Sequence, residues 1–160
     1  MKQTLSFLLL SSIAFLFSAN LVIAQSDSTA VHQVVTDLFD AMRESDGEKL
    51  GALFAENAKM NSVYTNNKGE YIVREEEPAA FVEAVGTPHE GVWDEKLLSV
   101  EIRIDGNLAQ VWTPYEFYLD DKFQHCGVNA FHLIRTEEGW KILQLSDTRR
   151  RSSCKKSKEK

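Results

Sequence analysis

The chain has 160 residues, a formal net charge of −6 and a hydrophobic fraction of 43%. The charge is uneven: residues 149–160 carry seven Lys and Arg against one Glu, a net +6, which leaves −13 on residues 25–148. A body this acidic argues against nucleic acid as a partner, and the length fits one domain.

Lys2 precedes an apolar run from Leu5 to Phe17, and Val22, Ile23 and Ala24 suit a peptidase site. Residues 1–24 therefore read as a cleaved signal peptide. The competing reading is a membrane anchor. Asn20 interrupts the run and no charged stop-transfer residues follow, which favours the signal. Export implies a periplasmic or secreted protein in an oxidising compartment, where the two cysteines, Cys126 and Cys154, permit one bridge.

From Thr29, apolar residues Val31, Val34, Val35, Leu38, Phe39 and Met42 recur at three and four, which predicts a helix that Gly47 ends. GEKLGALFAEN at 47–57 predicts a second short helix, and KMNSVYT a strand running into the turn NNKG. EEEPAAFVEAVG predicts a third helix. Pro78 suits its first turn, the glutamates its positive end, and Gly86 its C-cap. The stretch TPHEGVWDEK reads as a loop.

After this the period becomes two. LLSVEIRI, LAQVWTPYEFYL, FQHCGVNAFHLIR and WKILQLSDT predict four strands joined by the turns DGN, DD and TEEG. Helices followed by a long meander make an α+β pattern. The expected organisation is a signal peptide at 1–24, one domain at 25–150 and a basic flexible tail at 151–160. The tail reads as a solvated end or as a contact for an anionic surface.

Turn lengths give an expected register. A two-residue turn at Asp120–Asp121 pairs Tyr115 with Cys126 and Thr113 with Val128. A turn through TEEG pairs His132 with Leu143, Ala130 with Leu145 and Val128 with Asp147. One face then carries Thr113, Tyr115, Cys126, His132, Leu143, Leu145 and Asp147. The other carries Trp112, Phe131 and Leu133 beside Glu116 and His125. Both faces are apolar, which predicts a homodimer through the second. His125 and His132 point to opposite faces, and Cys126 and His132 lie about 20 Å apart along a straight strand. No metal site is expected.

The series Trp93, Tyr115, HCGV at 125–128, Phe131, GWKI at 139–142, DTRR at 147–150 and Cys154 resembles the nuclear transport factor 2-like superfamily, in particular its exported branch named for lumazine binding. Relatives there include ketosteroid isomerases, scytalone dehydratases and SnoaL-type cyclases. The resemblance implies a cone-shaped fold, with N-terminal helices packed on a curved antiparallel sheet around a pocket. Alignment with ketosteroid isomerases places His132 at the second oxyanion acid, Ser62 near the base and Leu38 near the oxyanion tyrosine. Serine and leucine cannot do those jobs, so steroid-type isomerisation is not supported.

The expected pocket is lined by Thr113, Tyr115, Cys126, His132, Leu143, Leu145 and Asp147, with Tyr64 and Trp93 nearer its mouth. His132 is a candidate acid or base, with Asp147 or Tyr115 assisting. The competing reading makes His132 a satisfied core histidine and Asp147–Arg149 a structural pair. The leading functional expectation is an exported protein that binds an unknown small molecule without a cofactor. An isomerase, dehydratase or cyclase is the alternative, and a dimeric association module with a vestigial pocket is the third reading. Cys126 and Cys154 are expected to bridge, because Cys154 follows Arg149 closely enough to fold back over the sheet edge. A thiol buried as a small core residue is the competing state for Cys126.

Overall fold

The computed structural model describes residues 27–154, so the expected signal peptide and the last six residues of the expected tail lie outside the described residues. Helix α1 (27–44) is followed by α2 (Gly47–Ala52) and β1 (Phe54–Thr65). Then come β2 (Tyr71–Glu76), α3 (Pro78–Gly86), β3 (Trp93–Leu97), β4 (Glu101–Asp105), β5 (Leu108–Leu119), β6 (Lys122–Thr136) and β7 (Gly139–Thr148). The fold is α+β: helices packed on one curved sheet in the order β2-β1-β7-β6-β5-β3, with β4 on the other half of β5. The pairing is antiparallel except between β1 and β7, which run parallel.

The apolar stripe of α1 does what its spacing requires. Val31, Val35, Leu38, Phe39 and Met42 are buried against Val111, Phe131, Leu133, Ile142 and Leu145 of the sheet. The helix ends through Ser45 at φ 55, and Asp46 caps α2 by accepting a hydrogen bond from the Lys49 amide at 2.9 Å. Gly47 therefore opens α2 instead of closing α1. Its role is packing: a Cβ there would lie 2.9 Å from the Val82 carbonyl oxygen and 3.0 Å from the Gly86 Cα. Gly86 likewise lets α3 cross α2 at close range, and Thr87 takes the C-cap.

Three local expectations are corrected. The second helix stops at Ala52, because Phe54 is drawn into β1 opposite Ile142 and the Ile142 amide donates to the Leu53 carbonyl at 2.8 Å. Glu75 and Glu76 belong to β2, whose hairpin with β1 claims them before α3 begins at Pro78. Residues 93–96, expected in a loop, join Leu97 in β3 and pair with Tyr115–Leu119 of β5, so the strand expected from Leu97 breaks and β4 begins only at Glu101.

The largest correction concerns register. Beside their turns, Leu119 pairs with Lys122 and Arg135 with Trp140, as the turn lengths require. An extra residue then enters each ladder: Gln124 between the Tyr118–Phe123 and Phe117–His125 pairs, and Leu143 between Leu133–Ile142 and His132–Gln144. Each bulge shifts pairing by one residue. Tyr115 consequently opposes Gly127 instead of Cys126, Thr113 opposes Asn129, and Asp147 opposes Asn129. Phe131 and Leu133 turn inward and are fully buried, while Trp112 remains 46% exposed on the outer face.

Candidate functional site

A cavity of about 430 Å³ lies between the helices and the inner face of the sheet. Leu38, Phe39 and Met42 of α1, Phe81 and Ala84 of α3, and Trp93 and Phe117 supply its apolar wall. Trp93 is positioned by its place on β3 and by the His89 ring, stacked on it at 4.4 Å.

Across the inner face, successive strands bring five polar residues into one cross-strand row. Arg74 pairs with Ser62, Ser62 with Asp147, Asp147 with Asn129, and Asn129 with Thr113. Side chains tie much of this row together. The Ser62 hydroxyl donates to Asp147 Oδ1 at 2.5 Å, and Asn129 Nδ2 donates to Glu95 Oε1 at 2.5 Å. Arg149 Nε donates to Asp147 Oδ2 at 2.7 Å. Thr113 is fully buried, and its hydroxyl finds no hydrogen-bond partner among the described residues.

Tyr115 spans the next pair. Its hydroxyl donates to the Thr148 carbonyl at 3.0 Å and approaches Asp147 Oδ2 at 3.4 Å. This reach across β6 requires glycine at 127, where a Cβ would sit 2.7 Å from the Tyr115 ring and 1.7 Å from the Thr148 oxygen. The glycine of HCGV thus clears the path of a buried tyrosine. Burial, reinforced by the Glu95 and Asp147 charges, raises the Tyr115 phenol above its ordinary range, so it serves here as a neutral hydroxyl.

Glu95 and His125 have displaced titrations. Burial pushes the Glu95 carboxyl up to about 8; Asp147's charge adds to this, and the Asn129 hydrogen bond opposes it. The carboxyl is largely protonated at neutral pH, half-buried and on the cavity wall. Burial, aided by the Arg149 charge, lowers His125 to about 4, so it is a neutral ring, against Phe117 at 5.0 Å and Tyr115 at 5.7 Å.

Residues 26–146 match the family described as "Putative lumazine-binding". The chain belongs to this family. Its fold is shared with solved structures of low sequence identity. A Mycobacterium tuberculosis protein superposes with a TM-score of 0.67 at 14% identity, covering 83% of this chain and 77% of its own. A nuclear transport factor 2-like protein with a cystatin-like fold from Novosphingobium aromaticivorans gives 0.67 at 15% identity, covering 86% and 90%. A "putative dehydratase" of the same fold family from Streptomyces avermitilis gives 0.63 at 16% identity, covering 81% and 99%. No curated protein matches the chain.

In this member of the lumazine-binding family, the cavity gathers part of the expected residue set. Tyr115, Leu145, Asp147 and Trp93 line it, and Thr113 lies buried on the same face. The bulges remove the rest. His132 and Cys126 alternate with the inward residues of β6 and face outward, Leu143 borders a separate hollow beside Phe54, and Tyr64 is half-buried on β1 outside the lining. Cys126 is joined to Cys154, with their Cα atoms 5.8 Å apart. Glu95, His125 and Asn129 take the inward places instead. Glu95 carried a readable signal: Trp93 and Leu97 alternate with Asp94 and Lys96, which places an acid in the apolar row of a short strand.

Proposed function

We propose that the protein is exported and binds a small, partly apolar molecule in the cavity. The observation that carries this reading is the cavity itself, whose volume falls in the range of small-molecule sites and whose apolar wall ends on a few convergent polar groups. Protonated Glu95 can donate a hydrogen bond, and the Asn129 amide fixes its orientation. Trp93, Phe117 and His125 offer ring faces to a planar ligand. The family's description makes lumazine the first compound to try. Native mass spectrometry of the purified protein should reveal a co-purifying small molecule or take up added lumazine. Ala84→Trp, at an exposed position on the cavity wall, should block uptake while leaving the fold intact. Equal uptake by the variant would place the ligand elsewhere.

The displaced carboxyl favours a second reading, an enzyme that moves a proton. A group titrating near 8 exchanges protons at neutral pH, and here it stands beside Tyr115 and Asn129 on the cavity wall. Asp147 is committed to Ser62 and Arg149, and His132 faces away, so Glu95 takes the acid–base role in this reading. Enolisable ketones and β-hydroxy carbonyl compounds are the substrates to screen. Turnover that survives Glu95→Gln unchanged would reject the role.

A further inference from the structure

The wall of an acidic protein's cavity is expected to repel anions, yet three arginines line this one. Arg74 comes from β2, and Arg149 and Arg151 from the segment after β7. Arg149 is spent on Asp147. Arg74 and Arg151 are exposed and form no ion pair among the described residues. The acids on the lining are Glu76, Asp147 and Glu95. Asp147 is neutralised by Arg149, and Glu95 is held largely protonated, which leaves Glu76 against two unpaired guanidinium groups.

Backbone pairing explains why Arg151 reaches the cavity. The Cys126 amide donates to the Arg150 carbonyl at 2.9 Å, and the Arg150 amide returns the bond at 3.0 Å. That bridge carries the pairing with β6 two residues past the end of β7. Alternation about it sends Arg149 and Arg151 to the cavity side and Arg150 to the other. Past Arg151, the Cys126–Cys154 disulfide pins the segment to β6.

We propose that the ligand carries an anionic group, a carboxylate, sulfonate or phosphate, held at the cavity mouth by Arg74 and Arg151, and that the disulfide keeps Arg151 in place. This rests on the small-molecule reading above and assigns the charge of the ligand. Guanidinium groups suit such oxyanions because they donate in pairs. The disulfide thereby makes a basic segment part of the binding site.

The test uses two fluorescent probes with the same ring body, anilinonaphthalene sulfonate and its uncharged parent N-phenylnaphthylamine. Oxidised wild type should bind the sulfonate more tightly, with the preference falling as salt is added. Arg151→Gln, with the disulfide intact, should weaken the sulfonate about tenfold, as expected for one lost charge-assisted hydrogen bond, and leave the neutral probe within about twofold. Cys154→Ser and reduction of the wild type should each reproduce that loss. Equal affinity for both probes, or sulfonate binding indifferent to Arg151→Gln, would overturn the anionic assignment while leaving the cavity reading standing. Sulfonate binding unchanged in both Cys154→Ser and reduced wild type would overturn the disulfide's part. If neither probe binds wild type and lumazine uptake also fails, the small-molecule reading falls and takes this inference with it.

Discussion

Gly127→Ala tests the geometry of the site most directly. The added Cβ would sit 1.7 Å from the Thr148 carbonyl oxygen and 2.7–2.8 Å from the Tyr115 Cε1 and hydroxyl. The oxygen is backbone, so rotamer change cannot clear it. The β6 and β7 chains would have to part locally, against the Cys126–Arg150 pair and the bond from the Val128 amide to Thr148 Oγ1 at 3.1 Å. Overpacking of this kind costs about 1–3 kcal/mol. Displacing Tyr115 also breaks its bond to Thr148 and leaves buried polar groups unpaired, at about 1–3 kcal/mol more. A loss of about 2–6 kcal/mol is therefore expected in urea unfolding, against a total of about 5–15 kcal/mol for ordinary domains. Tyr115→Phe removes only the hydroxyl and should cost about 1–2 kcal/mol. The two obstacles are separable: Gly127→Ala should remain destabilising in a Tyr115→Ala background, where the backbone clash persists. A Gly127→Ala protein within about 1 kcal/mol of wild type would refute the packing argument.

Thiol titration of denatured, unreduced protein should find no free thiol, with monomer mass on non-reducing gels; closing a loop of sequence separation 28, the bridge should add about 3–4 kcal/mol that reduction removes. Glu95 holds its proton longer when folded, so its contribution is complete below its ordinary 4.5 and is lost as pH rises to about 8. His125 works in the opposite sense, complete above 6.5 and lost as pH falls to about 4, so the interval from 6.5 to 8 isolates Glu95. Wild-type stability should fall across that interval and the fall should vanish in Glu95→Gln; parallel urea midpoints for the two proteins would contradict the assignment. The proposed homodimer must now use Trp112, since Phe131 and Leu133 are internal; Trp112→Glu should convert dimer to monomer in light scattering at micromolar concentration, and a monomeric wild type would end the proposal.

The helices and the long meander were legible because each rests on local information: an apolar stripe, a proline at a first turn, a two-residue hairpin. The site was legible on two of its three central strands. Of the expected inner residues of β5 and β7, Tyr115, Leu145 and Asp147 line the cavity and Thr113 lies buried on the same face, while Leu143 sits at a bulge and borders a separate hollow; those of β6 are inverted. The arithmetic of bulges explains the pattern. The extra residue at Gln124 flips β6 relative to β5, and the one at Leu143 flips β7 back. Sequence alternation could not reveal this, because β6 is apolar on both faces and neither register exposes an obviously wrong side chain. Glu95 was missed for another reason: the alternation from Trp93 to Leu97 is too short to separate strand from loop until β5 is there to pair with it.

The inversion of β6 also removes a conflict between the two places expected for Cys126, on the pocket wall and in the disulfide. With Cys126 on the pocket face, a bridge would have to reach into the cavity and compete with ligand for space. The bulge at Gln124 places Cys126 on the outer face, beside the returning chain at Arg150, and gives the inner place next to it to His125. The sulfur can then be fully buried and bridged without occupying the site. One inserted residue thus moves the covalent anchor to the outside of the cone, while the second, at Leu143, keeps Arg149 and Arg151 on the cavity side. Deleting Gln124 removes the extra residue yet leaves Phe123 beside Tyr118 and His125 beside Phe117, so Cys126 should keep its outer place opposite Glu116. No free thiol and retained probe binding are the expected signs. Free thiols or lost probe binding in a deletion that still folds would show that the bulge itself is needed for the site.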